Sequence, residues 1–147
     1  MKAIVLRNKG NADQLKYEEV ETPKINDNEA LVKVKAASIN HLDIWIREGQ
    51  FPIKYPHFLG CEAAGNISEI GKNVKGFKKN DGVLVIPKTI CNKCEYCLEG
   101  NDNLCKNSEV LGLTINGCYA EYVKVPQQNL LLINNKLSYE EAASVPT

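Results

Sequence analysis

Short runs of alternating or continuous apolar residues, separated by turn residues, predict a chain that is built mainly of β-strands. The clearest run is residues 30–37, where apolar side chains alternate with Lys33 and Lys35, a pattern that buries one face of a strand. Five further segments have strand-like patterns, namely residues 2–8, 15–22, 63–71, 82–87 and 119–126. Short strands that recur at irregular intervals are typical of a barrel or a distorted sheet.

Two segments have the character of short helices. Residues 40–48 carry apolar side chains at spacings that fit a helix loosely. Near the end of the sequence, Ser138 and Glu141 have the spacing of a capping box, which predicts that a helix begins after Ser138. Both helices are too short to change the fold class, and we therefore predict one mainly β domain with short helices.

Composition and charge exclude several classes of protein. The 147 residues are 44% hydrophobic, which is enough for one domain with a core of its own. The 18 basic and 18 acidic residues cancel, so the chain lacks the positive charge that favours nucleic-acid or anionic-lipid partners. No apolar run approaches the roughly 20 residues of a membrane span. We therefore predict a cytoplasmic protein, in which clustered cysteines are metal ligands or redox thiols.

Four of the six cysteines lie in residues 91–105: Cys91, Cys94, Cys97 and Cys105, with the spacing C-x2-C-x2-C-x7-C. This spacing lets four thiolates converge on a tetrahedral zinc ion, which stabilises a segment too polar to bury much apolar surface. A thioredoxin-like redox pair fits less well, because it needs only two cysteines and a helix after Cys94, which the sequence does not predict. An iron–sulfur cluster is chemically possible with four thiolates, but the ferredoxin signatures have other ligand spacings. Four thiolates close the coordination shell, so we predict a structural zinc.

Several further motifs occur in a fixed order around this cysteine-rich lobe: "VKVKAASINHLD", "PHFLGCEAAG", "GCYAEYV" and "LSYEEAASVP". With these motifs, the chain from Met1 to Thr147 resembles the amino-terminal, GroES-like catalytic domain of the medium-chain alcohol dehydrogenase/quinone reductase superfamily. The resemblance implies a partly open β-barrel that carries a zinc-binding lobe. It also implies that the glycines of "GCEAAGNISEIG" serve turns and close packing, since they lack the G-x-G-x-x-G spacing of a dinucleotide-binding loop.

The resemblance also implies a cofactor and partners. In the family, a Rossmann domain that binds NAD or NADP follows the catalytic domain. This sequence contains no such segment, so we expect residues 1–147 alone to bind no nicotinamide cofactor and to have no activity. The whole enzyme is expected to be a homo-oligomer that acts on a small-molecule substrate. His41 is implied to lie near the cofactor pyrophosphate, although a surface histidine beside a helix cap is equally consistent with its position.

The expected catalytic zinc ligands are largely missing. Zinc-dependent members place a cysteine, a histidine and a cysteine or acidic residue at the positions that match Asn40, Cys61 and Thr147 here. Asparagine and threonine are poor zinc ligands, so Cys61 is the single strong one, with Glu62 beside it. The resemblance therefore implies a pocket that departs from the zinc-dependent pattern.

A different kind of pocket is suggested by three residues near the start of the first helix. The family's proton-relaying hydroxyl residue is replaced by Leu42, while Asn40 and the following Asp43 resemble the zinc-free quinone reductase branch. There, hydrogen bonds polarise the substrate carbonyl and the nicotinamide delivers hydride. Purely structural roles are also consistent with these residues, namely a helix cap for Asn40 and buried hydrogen-bond acceptors for Asp43 and Glu62.

The sequence therefore predicts the catalytic domain of an NAD(P)-dependent oxidoreductase with one structural zinc and no catalytic zinc. Its substrate is expected to be a small carbonyl compound, enone or quinone. Two alternatives stay open. One is an alcohol dehydrogenase that retains a catalytic zinc through Cys61 and Glu62, and the other is a non-enzymatic, zinc-stabilised GroES-like module that acts in protein assembly.

Overall fold

The computed structural model describes residues 1–134 and 136–146. Its strands are β1 (Lys2–Leu6), β2 (Leu15–Glu19), β3 (Glu29–Ala37), β4 (His57–Phe58), β5 (Ala63–Ile70), β6 (Gly82–Val85), β7 (Lys88–Thr89), β8 (Glu109–Val110), β9 (Tyr122–Pro126) and β10 (Leu130–Leu132). Its α-helices are α1 (His41–Glu48), α2 (Glu95–Leu98) and α3 (Tyr139–Ala143). Short 3-10 turns span Ala12–Gln14, Asp102–Leu104 and Gln127–Asn129.

The strands form three antiparallel sheets, and the largest has the order β10-β6-β5-β3-β9. The second sheet has the order β2-β1-β4, and β7 pairs with β8 in the lobe. The long central strand β3 shifts register against β5 between Leu31 and Val32 and again between Val34 and Ala36. Such irregularities bend a strand and increase its twist, so the five-stranded sheet curls. The predicted mainly β, partly open barrel is confirmed.

The main apolar core lies on the inner face of this curled sheet. Its fully buried members come from five strands and the loop before β9: Ala30, Val32, Ala63, Ile67, Val83, Val85, Leu111, Cys118, Val123, Val125 and Leu130. A second cluster forms around Leu6, Ile46 and Leu59, where α1 packs against β1. In α3, Ala142 and Ala143 pack against Ala64 and Leu84 of the sheet. The cluster around Leu6, Ile46 and Leu59 lies directly beside the candidate substrate pocket.

Most of the predicted elements are present with adjusted ends. The strand expected over residues 15–22 ends at Glu19, and the strand expected over 119–126 begins at Tyr122. Both predicted helices are confirmed, including the capping box in which Ser138 Oγ accepts a hydrogen bond from the Glu141 N–H. Gly65 packs closely as expected, because a Cβ atom there would lie 2.1 Å from the Lys33 carbonyl oxygen.

The expectation that no helix follows Cys94 is wrong. Helix α2 begins immediately after Cys94, which is its N-cap, and the Leu98 N–H donates to the Cys94 carbonyl at 3.0 Å. A single helical turn of four residues is too short to show an apolar periodicity, so the sequence pattern did not reveal it. No helix of the described residues is long and apolar enough to span a membrane.

Candidate metal centre and substrate pocket

The four cysteines of the lobe converge on one point. Cys91 follows β7, Cys94 and Cys97 lie at the two ends of a helical turn, and Cys105 follows the Asp102–Leu104 turn. Their Sγ atoms all lie within 4.8 Å of one another, with 3.9 Å between Cys91 and Cys97 and 3.5 Å between Cys94 and Cys97. A zinc ion with Zn–S bonds of about 2.3 Å needs sulfur atoms about 3.8 Å apart. The lobe therefore has the ligands and the spacing for a tetrahedral zinc.

Backbone groups of the lobe already favour thiolates. The Lys93 N–H lowers the pKa of Cys91 to about 6, and the Cys97 N–H lowers the pKa of Cys94. The Cys91 N–H in turn lies 3.4 Å from the Cys105 Sγ atom. Without a metal, desolvation raises the pKa of Cys97 to about 12. A bound divalent cation would remove this penalty, because its charge stabilises all four thiolates.

Two side chains attach the lobe to the barrel. The buried Asn129 donates through Nδ2 to the Ile86 carbonyl at 2.7 Å and to the Lys88 carbonyl at 3.0 Å. Its neighbour Gln128 donates through Nε2 to the Ile90 carbonyl at 2.8 Å. These three carbonyls belong to the segment that leads from the barrel into the lobe, so the amides fix the direction in which the lobe leaves the barrel.

The candidate substrate pocket lies at the start of α1. Asn40 is the N-cap of this helix, and its backbone N–H donates to the Asp43 carboxylate at 2.9 Å. The side-chain amide of Asn40 also contacts Cys61, because its Nδ2 atom donates to Cys61 Sγ at 3.3 Å. Asn40 therefore forms a capping box with Asp43 and also contacts Cys61 with its side chain. The structure brings together these two residues, at which zinc-dependent members have ligands.

Asp43 is held by hydrogen bonds and is only 5% exposed. Its Oδ1 atom accepts from the Gly60 N–H at 2.9 Å. Its Oδ2 atom accepts from the Asn40 N–H and from the Tyr119 hydroxyl, the latter at 2.8 Å. Three donors compensate for the cost of burying the carboxylate. Asp43 thus ties together α1, the loop before Cys61 and the segment before β9.

Glu62 is also buried, at 2% exposure, but it is less completely satisfied. Its Oε2 atom is hydrogen-bonded to the Ser38 hydroxyl, which also lies 3.0 Å from the Ala143 carbonyl oxygen in α3. Its Oε1 atom is buried without a hydrogen-bond partner among the residues that the structure describes. A buried carboxylate oxygen without a donor is uncommon in proteins and is a possible ligand for a cation.

Two predicted site residues remain, His41 and Thr147. His41 is exposed, and its ring packs edge-on against Trp45 with 4.7 Å between ring centroids. Its place beside the cofactor pyrophosphate stays a prediction. Thr147, expected at the third ligand position, lies outside the described residues.

Sequence reasoning missed two residues of the pocket, Ser38 and Tyr119. The Ser38 hydroxyl donates a hydrogen bond to the Glu62 carboxylate, and the Tyr119 hydroxyl donates one to the Asp43 carboxylate. Tyr119 belongs to the "GCYAEYV" motif and follows Cys118, a fully buried thiol whose pKa burial raises. No local pattern marks either residue, because their partners are distant in sequence: 24 positions for Ser38 and 76 for Tyr119.

Comparison with known proteins gives a consistent result. Residues 26–135 match the family described as the alcohol dehydrogenase GroES-like domain. The chain is similar to a sorbitol dehydrogenase of Bacillus subtilis, at 38% identity over 99% of this chain and 42% of that protein. It is also similar to an NAD-dependent alcohol dehydrogenase of Sulfolobus acidocaldarius, at 37% identity over 97% of this chain and 43% of that protein.

A solved structure gives the same picture. The crystal structure of an NAD-dependent alcohol dehydrogenase superposes with a TM-score of 0.96 at 40% identity, covering 99% of this chain and 43% of that one. The chain therefore spans less than half the length of these relatives.

Proposed function

Because this chain belongs to the alcohol dehydrogenase GroES-like domain family, we propose that it is the substrate-binding, catalytic domain of an NAD(P)-dependent oxidoreductase. The proposed reaction is hydride transfer to or from a small carbonyl compound, enone or quinone, without a catalytic zinc. The names of two relatives favour NAD over NADP. The nicotinamide, when bound by the rest of the enzyme, supplies or accepts the hydride.

One observation carries the zinc-free proposal: the Asn40 amide lies 3.3 Å from Cys61 Sγ. A zinc ion at this point would need to insert between the two side chains, and the amide nitrogen is a poor ligand. Among the described residues, moreover, the lobe is the single group of three or more potential ligands that lie close together. The pocket is thus better suited to hydrogen bonding than to metal coordination.

Asn40 has a specific role in this proposal. Its Nδ2 group carries two hydrogens, and one of them is directed at Cys61. The other is available for a substrate oxygen, on which negative charge develops as hydride reaches the conjugated or carbonyl carbon. Asp43 holds the Asn40 backbone in place for this contact. Cys61 orients the amide by accepting its first hydrogen.

The lobe supports the fold in this proposal. Its zinc is structural, since four thiolates leave no coordination site for a substrate. Reduced thiolates suit the proposed cytoplasmic location. The whole enzyme is proposed to be a homo-oligomer, with no nucleic acid or membrane as partner.

A second candidate is supported by Glu62. Its buried Oε1 atom lacks a donor among the described residues, and it stands next to Cys61 in the sequence. A cation bound by Cys61, Glu62 and a third ligand would satisfy that oxygen. In that case the enzyme would be a zinc-dependent alcohol dehydrogenase with an unusual ligand set.

Zinc analysis of the reduced chain distinguishes the two candidates. We expect one zinc per chain by elemental analysis, with the same ratio in Cys61→Ser and none in Cys94→Ser. In the full-length enzyme, NADH- or NADPH-dependent reduction of an enone or quinone should persist after mild chelation that leaves the lobe zinc bound. Two zincs per chain, one of them lost in Cys61→Ser, would overturn the zinc-free proposal in favour of the alcohol dehydrogenase.

The nicotinamide partner is tested separately. Calorimetry with residues 1–147 should detect no binding of NADH or NADPH, whereas the full-length enzyme should bind one of them. Micromolar affinity of residues 1–147 would mean that the cofactor contacts lie chiefly within this domain.

A further inference from the structure

Tyr119 links the two chain segments that form the candidate pocket, and neither the family match nor the names of the relatives give it a role. We propose that Tyr119 is a positioning residue which, through the buried carboxylate of Asp43, fixes the Asn40 amide against Cys61. The inference rests on the proposed function only in treating Asn40 and Cys61 as pocket residues.

The ring of Tyr119 is fitted closely to the loop that precedes Cys61. A Cβ atom at Gly60 would lie 2.5 Å from the ring atom Cδ1 of Tyr119, so no other residue can stand at Gly60 unless the ring moves. Gly60 also has φ +91°, a conformation that side chains disfavour. The Tyr119 N–H donates to the Leu59 carbonyl at 3.0 Å, which adds a backbone contact to the same loop. The ring therefore has a defined position.

The ring of Tyr119 packs among apolar side chains of the Leu6, Ile46 and Leu59 cluster. Its hydroxyl group, in contrast, contacts polar atoms of the pocket. It lies 2.8 Å from Asp43 Oδ2 and 3.2 Å from the Ser38 carbonyl oxygen, and both of these are acceptors. Burial raises the pKa of the phenol, and the hydrogen bond to Asp43 raises it further. The hydroxyl group thus stays protonated at neutral pH and serves as a donor.

Asp43 connects Tyr119 to the pocket residues through hydrogen bonds. Its other two donors are the N–H groups of Asn40 and Gly60. Asn40 carries the amide, and Gly60 directly precedes Cys61, so the carboxylate fixes the backbone on both sides of the 3.3 Å contact. If the Tyr119 donor is lost, the carboxylate keeps two hydrogen bonds but can rotate. The Asn40 amide and Cys61 Sγ are then no longer held at a fixed distance from each other.

The test measures how well Cys61 is protected in the zinc-loaded chain. Iodoacetamide labelling is followed over time, and peptide mass spectrometry reports each cysteine separately. Tyr119→Phe removes the donor and keeps the ring. We expect it to speed Cys61 labelling about tenfold, as expected for loss of a hydrogen bond to a charged group. The matched control is Tyr17→Phe, the same change at a tyrosine that is 73% exposed, and it should leave the rate unchanged.

Cys118 serves as the internal reference, because it adjoins Tyr119 in sequence and is 1% exposed. Faster labelling of Cys61 alone supports a positioning role. Equal acceleration of both thiols would show general loosening and overturn the proposal, as would an unchanged Cys61 rate. Since no substrate or cofactor is present, these results do not depend on whether the proposed reaction occurs.

A double-mutant cycle tests whether Tyr119 acts through Asp43. Asp43→Asn should also speed Cys61 labelling, and the double variant should be no faster than the faster single variant. Multiplicative effects would mean that Tyr119 acts independently of Asp43, which contradicts the proposal. If Tyr119→Phe fails to fold by circular dichroism, Asp43→Asn alone decides, and an unchanged Cys61 rate in that variant overturns the inference.

Discussion

The lobe and the candidate substrate pocket both bring chemically active side chains together, but they do so over very different distances along the chain. The lobe takes its four thiols from 15 consecutive residues. The pocket joins Asn40, Cys61 and Tyr119, with 76 positions between Asp43 and the tyrosine that bonds it. The lobe therefore draws its proposed metal ligands from one local segment, whereas the pocket is assembled only when the barrel folds.

This difference has a physical origin. A segment with little apolar surface gains much of its order from its ligand, so the lobe should depend on zinc more than on the barrel. The pocket side chains, in contrast, lie beside an apolar cluster and are connected by buried hydrogen bonds. Their arrangement should survive loss of the metal and fail when the barrel packing or the Asp43 network is disturbed.

The largest expected effect follows removal of zinc from the lobe. Structural zinc sites contribute on the order of 10 kcal/mol of apparent binding free energy, and the four candidate ligands here all lie in residues 91–105. We expect a chelator to make this segment sensitive to limited proteolysis and to lower Tm. The strands of the barrel should stay protected, as measured by hydrogen exchange. Equal protease resistance with and without zinc would contradict the metal's proposed role.

The next largest effect is expected at the centre of the pocket. Asp43→Ala leaves the N–H groups of Asn40 and Gly60 without an acceptor and the Tyr119 hydroxyl with the Ser38 carbonyl alone, at a cost of about 3 kcal/mol in the free energy of unfolding. Urea denaturation measures this loss, and zinc content should not change. The control, Asp13→Ala, alters an exposed carboxylate and should change stability by less than about 0.5 kcal/mol. Loss of zinc in Asp43→Ala would show that the two regions are coupled.

The same contrast explains what the sequence could predict. The cysteine spacing, the capping box of α3 and the alternation in β3 are local patterns, and the structure contains the predicted cluster, helix and strand. The two-residue strands and the single turn of α2 are too short to leave a pattern. Tyr119 could not be assigned, because its role depends on a contact with Asp43 that only the folded chain creates.

A smaller effect is expected where the two regions join. Asn129→Ala removes two hydrogen bonds to the Ile86 and Lys88 carbonyls, which we expect to cost about 2 kcal/mol. Zinc should remain bound at one ion per chain, while hydrogen exchange at residues 86–90 should accelerate. Asn103→Ala is the matched control, because that exposed residue contributes its backbone carbonyl to Lys88 and keeps it on substitution. Zinc loss in Asn129→Ala would mean that the barrel organises the lobe.

The smallest expected effect concerns acid pH, which should act on the lobe and on the barrel through different groups. In the lobe, protons compete with zinc for the thiolates. In the barrel, burial lowers the pKa of His57, whose Nε2 atom lies 3.0 Å from the Gly112 carbonyl oxygen. As the pH falls through about 6.5, His57 is therefore protonated in the unfolded chain but stays neutral in the folded chain. The free energy of unfolding should decrease as the pH drops below this value. His57→Gln keeps a donor for Gly112 but cannot titrate, so it should flatten the fall in Tm between pH 7.5 and about 5.5 by a few degrees at most.

Zinc release over the same range, followed with a colorimetric chelator, should be the same in both proteins. An identical pH profile of Tm in His57→Gln would assign all of the acid sensitivity to the lobe.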